Sequence, residues 1–530
     1  MQRSKKSGVC GERRSLVAPE QTDVFIERVL ERMSNLSRLP HVLGIAVLIV
    51  YFGDSLYSIS IDMGAHYALV QEIMSHWGRR AIALPNLGPM SVYPPLAHWI
   101  AALIGYITDS GLIGMWVASL VALYTFYYFC FRLVYKASFV VLPIFLAFLM
   151  LFRNSRSLVG NEIITNFFYP QLIATAMYAW GIYLIALKKV TVLGITLILL
   201  ISFTILFIHA LPAVHLIGTF VFFIFMKLYI SHQETKNIDS RLVYVMCGFI
   251  VFSGLMLLLH PGFRAMRAFS QNDGWLEFSY PAKMIPWVIL ALTITSVTSF
   301  IVSHKCRTDA LLVLCAAGLS AALLTFLQYL AWKFVGLGSL YAVKKHMFIA
   351  LVLLLATLSN CIFRGKRPVN RYIEKESIQI LLCSIGSVLI MITFFSRPAV
   401  QVEPIVKYFR YVKHAIDFEF PEFQIGNTVS AVNSKTIKNW SNNVDWPFDI
   451  GSNDLANWTA TISHLGYPLN SSAVALFQGD LEAVRGAKFA IVDSNECIKS
   501  NCKTRRADNG TFIIIDTVCL DLALSCSSSP

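Results

Sequence analysis

The feature that most constrains this chain is a series of apolar runs, each long enough as a helix of about 20 residues to cross a hydrocarbon core of roughly 30 Å. Val42 to Tyr57, Leu112 to Phe131, Thr191 to Ile208, Leu242 to Leu259, Met284 to Val302 and Ile378 to Phe395 are examples. Runs of this length, repeated, read as membrane spans and not as core helices. Composition agrees: 56% of the residues are hydrophobic and 14% charged, against about 25% charged in soluble domains.

The pattern predicts an all-α polytopic membrane protein of about eleven spans, near 41–57, 110–132, 138–152, 168–187, 190–208, 211–230, 242–260, 284–303, 309–332, 346–363 and 377–396. Some 40 polar residues precede the first run, so that run reads as an uncleaved anchor and not a signal peptide. Three regions follow: a cytoplasmic segment 1–40, a transmembrane domain 41–396 and an extracytoplasmic tail 397–530.

Charge sets the orientation. With the N-terminus in the cytoplasm, the inside segments gather basic residues from Arg3 to Arg38, then Lys188, Lys189, Lys305, Arg307, Arg364, Arg367, Arg371 and Lys375 among others. The outside loops before the tail hold fewer than half as many, and the positive-inside rule favours this arrangement. The formal charge of +13 is therefore explained by topology, and a nucleic-acid partner is not expected.

The tail carries Cys497, Cys502, Cys519 and Cys526, an even set suited to disulfides in an oxidising compartment, with four free thiols as the alternative. Lys488 to Asp493 and Thr511 to Asp516 alternate like strands. The tail thus reads as a small soluble α/β domain, and the whole chain as a multi-pass protein of a plasma or inner membrane.

The first outside loop, 58–110, is far longer than a connection between neighbouring spans requires. It opens with Asp62, after which Met63, Tyr67, Val70, Met74 and Trp77 recur at helical spacing. That stripe predicts an amphipathic helix lying on the membrane surface, with Asp62, His66 and Glu72 off the stripe. A carboxylate at a helix head can act as a cap, and this is the structural alternative for Asp62. Pro85, Pro89, Pro94 and Pro95 then forbid a regular helix, and Pro94-Pro95 sets the start of a further helix from Leu96 to Tyr106.

The second outside loop contains Arg153, Arg156 and Glu162, either a structural ion pair or part of a site facing the first loop. The third carries Arg264 and Arg267; the fourth carries Tyr341, Lys344 and Lys345 at the head of a span. Basic residues on the outer side run against the topology rule. They either snorkel to lipid phosphate or bind the phosphate of a substrate. His209 and His215, beside a tight outside turn, are expected at the membrane interface.

Asp62, Tyr67 and the turn Tyr93-Pro94-Pro95-Leu96 resemble the first-loop pattern of the GT-C superfamily of membrane glycosyltransferases, which includes protein O-mannosyltransferases and lipid A aminoarabinose transferases. The resemblance implies transfer of a sugar from a polyprenyl-phosphate donor to a glycan, lipid or protein acceptor outside the cytoplasm. By position it makes Asp62 the first acid and Glu162 the second, with His66, Tyr67, Tyr93, Arg264, Arg267, Tyr341, Lys344 and Lys345 as candidate substrate-binding residues. The family often places a second acid directly after the first, where this chain has Met63. That departure speaks against a divalent metal and for a metal-free mechanism without a cofactor.

In such chemistry a carboxylate takes the acceptor proton, a role worth about 10²–10⁴ in rate, and fixed cations stabilise the leaving phosphate. The competing expectation is a transporter or flippase of a lipid-linked or small polar substrate. Transporters place ionisable groups within spans and often show inverted repeats. This chain keeps its acids in loops and shows no repeat between its halves.

Overall fold

The computed structural model describes residues 38–52, 66, 69–70, 72–74, 93–108, 111–160, 169–187, 190–270, 282–302, 308–362 and 376–395, together with strand residues 448–449, 489–493, 505–506 and 512–516. The helices are α1 (Leu39–Phe52), α2 (Leu96–Thr108), α3 (Gly111–Ala137), α4 (Val141–Leu151), α5 (Tyr169–Leu187), α6 (Val192–Leu206) and α7 (Ala210–Thr235). They continue with α8 (Ser240–Leu259), α9 (Pro261–Phe269), α10 (Ile285–Val302), α11 (Asp309–Leu330), α12 (Leu340–Ile362) and α13 (Glu376–Phe395). Among the described residues seven helices are long and apolar enough to cross a membrane, and the chain is a multi-pass integral membrane protein.

Helix α11 is the centre of the bundle, packed against α3, α5, α7, α10 and α12. Its sequence explains why. Ala316, Ala317, Gly318, Ser320, Ala321 and Ala322 present little bulk, so neighbouring backbones approach closely. A Cβ on Gly318 would lie 2.2 Å from Ser296 Oγ on α10, and one on Gly218 of α7 would lie 2.3 Å from Ser320 Oγ. Thr308 starts α11 as an N-cap, its side chain accepting the amide of Leu311.

The helices alternate in direction, and this gives the bundle two chemically different ends. At one end Arg132, late in α3, pairs with Glu376 at the head of α13 at 3.0 Å. At the same end Lys227, late in α7, pairs with Asp309 at the head of α11. The opposite end collects the heads of α2, α5, α7 and α12 and the tails of α6, α8 and α11. It is called the site end below.

Close backbone contacts lock the site end. The amide of Leu96, just after Pro94-Pro95, donates to the carbonyl of Phe207 at 3.1 Å, so the proline turn is tied to the connection between α6 and α7. Helices α2 and α3 form a tight pair, since a Cβ on Gly114 would lie 2.1 Å from the carbonyl oxygen of Ala101. Helix α11 ends in a single π-helical turn, Ala331–Val335, followed by Gly336 and Gly338 in the left-handed region at φ 68° and 78°.

Two expectations change. Among the described residues of the helix after Asp62, His66, Leu69, Val70, Glu72 and Ile73 are all buried. It is therefore enclosed by protein on more than its apolar stripe, which is possible because His66 finds a polar partner on α2. His209 and His215, expected at the membrane interface, are only 3% and 0% exposed inside the protein.

Alternation in the tail does correspond to strands. Phe489–Asp493 and Phe512–Asp516 pair antiparallel with Ile491 opposite Ile514. With Phe448–Asp449 and Arg505–Arg506 they form a four-stranded sheet.

Candidate functional site

At the site end four separate pieces of chain surround a cavity of about 470 Å³. Helix α9 contributes Phe263, Met266 and Arg267; the start of α7 and the residue before it contribute His209, Leu211 and Val214. The end of α11 brings Leu324, Leu327 and Gln328, and α12 brings Tyr341, Lys345 and His346. The volume and the mix of an apolar lining with a few convergent polar groups suit a ligand site. Two cations line it, and among the described lining residues none is acidic.

Local sequence fixes each of these groups. His260 Nδ1 accepts the amide of Gly262 at 3.1 Å, which starts α9 and turns Arg267 toward the cavity three residues before Ser270, whose hydroxyl donates to the Arg267 carbonyl. Lys345 stands one turn after Tyr341, and its Nζ lies 4.5 Å from the centre of that ring. Gln171 on α5 donates through Nε2 to the Lys345 carbonyl at 3.2 Å, holding this turn of α12 in place. His346 then reaches the other way, its Nδ1 2.9 Å from His215 Nε2 on α7.

A second cluster belongs to the first loop. His66 Nδ1 and His98 Nε2 are 2.9 Å apart. The rings of Tyr93 and Tyr169 lie edge-on to this pair, with Tyr93 5.5 Å from His66 and Tyr169 5.8 Å from His98. The Tyr169 hydroxyl donates to the Ala97 carbonyl at 2.5 Å, clamping α2 to the head of α5. Burial above all, then His98, Lys345 and His209, hold His66 well below the usual histidine range. Burial pushes His98 down to about 3. Lys345 thus lies close enough to His66 for its charge to contribute to that lowering.

Of the residues singled out from sequence, Arg267, Tyr341 and Lys345 meet at the cavity, and His66 and Tyr93 meet in the adjoining cluster. Arg264 does not join them: its Nε donates to the Leu258 carbonyl at 3.2 Å, closing the end of α8. Lys344 does not line the cavity. Asp62, Tyr67 and Glu162 lie outside the described residues. Among the described residues no group of three or more His, Cys, Asp or Glu is placed to hold a metal ion.

Sequence reasoning passed over His98, His346 and Gln328, and it placed His209 at the membrane interface instead of in a site. His346 directly follows Lys345, and His98 sits three residues after Pro95, so both stood beside residues already marked. His209 offered only its place at a turn. No family model and no curated protein matches the chain.

Proposed function

We propose that the chain is a glycosyltransferase that moves a sugar from a polyprenyl-phosphate donor to an acceptor on the extracytoplasmic side. One observation carries this reading: an apolar cavity within a membrane bundle, lined by Arg267 and Lys345 and by no acid among its described residues. Such a cavity complements an anionic group attached to an apolar tail. The donor phosphodiester has a single negative charge; when the sugar leaves, the lipid phosphate gains a second. Two fixed cations match the product better than the reactant, and such differential stabilisation lowers a barrier.

In this reading Asp62 is the base that takes the acceptor proton, and the His66–His98 pair lines the approach between base and cavity. Glu162 is the second acid. The site end faces outward, the Arg132–Glu376 and Lys227–Asp309 pairs lie on the cytoplasmic side, and about eleven spans place residues 397–530 outside as a small α/β domain. In support, each of the eleven expected spans coincides with a helix, of which four are shorter than the seven long ones.

A second reading, a carrier for a lipid-linked or small polar substrate, is favoured by the His215–His346 pair buried between α7 and α12. Ionisable groups inside a bundle often mark transport paths. The two readings separate on Asp62→Asn. For a transferase, this variant inserts normally, binds donor and loses transfer of labelled sugar by at least about 10²-fold. Undiminished transfer by the variant removes Asp62 from the mechanism. Labelled substrate crossing sealed vesicles with no glycosidic bond formed favours the carrier.

A further inference from the structure

His209 occupies a position that neither reading uses. It is the residue before α7, and its Nδ1 accepts the backbone amide of Leu211 at 3.3 Å. An imidazole nitrogen that accepts an amide hydrogen bond carries no proton, so in the neutral ring the proton is on Nε2. That Nε2 is buried and has no hydrogen-bond partner among the described residues, in a side chain only 3% exposed, on the wall of the cavity that Arg267 and Lys345 also line. A buried donor left without an acceptor is costly, a cost a structure bears where a ligand supplies the acceptor.

The ring is also held neutral. Burial first, then Lys345 and His346, hold it well below the usual histidine range. Among the described residues, the titratable and charged groups around it are His66 from the first loop, Lys345 and His346 from α12 and Arg267 from α9. None of these is acidic.

We propose that His209 is a phosphate-binding residue that donates a hydrogen bond from Nε2–H, as a neutral imidazole, to a phosphate oxygen of a prenyl-chain phosphate seated between Arg267 and Lys345. The proposal rests on the phosphate part of the functional reading and is indifferent to whether a sugar is then transferred. It adds a directional contact to two cations that supply charge. A fixed N–H specifies where the phosphate sits in a way a flexible lysine does not. Leu211, Phe263 and Leu324 offer the apolar contact for the first prenyl units.

The choice of variant separates this role from the capping role. His209→Asn keeps a side-chain oxygen near the Nδ1 position to accept the Leu211 amide but loses the distal donor. Binding of farnesyl phosphate, farnesol and inorganic phosphate to the full chain in detergent, measured by calorimetry, tests it. The wild type binds farnesyl phosphate more tightly than either farnesol or inorganic phosphate. His209→Asn weakens farnesyl phosphate binding roughly tenfold or more, leaves farnesol binding and the melting temperature in place, and shows no new dependence on pH between 6 and 8.

Wild-type binding no tighter for farnesyl phosphate than for farnesol removes the phosphate site itself. Equal affinity for inorganic and farnesyl phosphate removes the prenyl chain from the assignment. Binding that falls in Lys345→Met but not in His209→Asn keeps the phosphate site and overturns the role of His209. So does an equal loss of farnesol binding and thermal stability in His209→Asn, which marks a structural part only. Wild-type affinity that climbs steeply as pH falls from 7 to 6 points to an imidazolium and overturns the neutral donor.

Discussion

At the scale of single residues, the site end is marked by histidines kept neutral. His66 and His98 share one hydrogen bond at 2.9 Å, which requires one ring to donate and the other to accept, so protonating the accepting ring breaks the bond and protonating either puts a charge in a buried place. Burial holds both below the usual histidine range, His98 down to about 3. The unfolded chain therefore binds more protons than the folded one once pH falls below about 6.5, and stability drops as pH falls through that window, by up to about 1.4 kcal/mol per pH unit and group. The expected outcome is a melting temperature that is flat from pH 8 to 7 and declines from 6.5 toward 4. In His98→Gln the decline is shallower. An unchanged acid limb in that variant assigns the decline to other groups.

At the scale of elements, α11 is a hub because small residues let its neighbours close in, and this makes a sharp double-substitution test. Gly318→Ala drives a methyl to 2.2 Å from Ser296 Oγ and is expected to destabilise by about 1–3 kcal/mol, the usual cost of overpacking. Ser296→Ala removes the offending oxygen, a buried hydroxyl without a hydrogen-bond partner among the described residues, so the double variant regains most of the loss. Thermal melts of the two single variants and the double give the coupling energy; additive effects place the strain elsewhere.

Elements were also the level at which sequence was most legible. The apolar runs marked α3, α5, α7, α8, α10, α11 and α12, because about 20 apolar residues have few other uses. The Pro94-Pro95 start of α2 was equally plain. What stayed hidden is which ends meet. Arg267 was marked in one outer loop and Tyr341 with Lys345 in another, and nothing in spacing says that the two loops share a cavity with His209. Helix adjacency depends on interlocking surfaces such as Gly318 against Ser296, and a hydropathy pattern does not encode them.

At the scale of the molecule, the orientation has a direct test. In the proposed arrangement the tail thiols Cys497, Cys502, Cys519 and Cys526 lie outside and Cys10 lies inside. A membrane-impermeant maleimide applied to intact cells, after gentle external reduction, is expected to label the tail thiols and spare Cys10. Permeabilisation brings Cys10 in, and labelling of Cys10 on intact cells reverses the topology. The bundle itself is unevenly dressed. Helix α8, so hydrophobic along its length, has only 11% of its spanning window covered by the rest of the protein, against 72% for α11. Leu255, Leu258 and Leu259 stand bare along it. The other described residues leave most of the circumference of α8 uncovered, so in a bilayer acyl chains would solvate it and its attachment would be a partition between protein and film. Two detergents that leave the cavity equally intact can still give different melting curves, because for this helix the surrounding lipid is part of the folded state's reference.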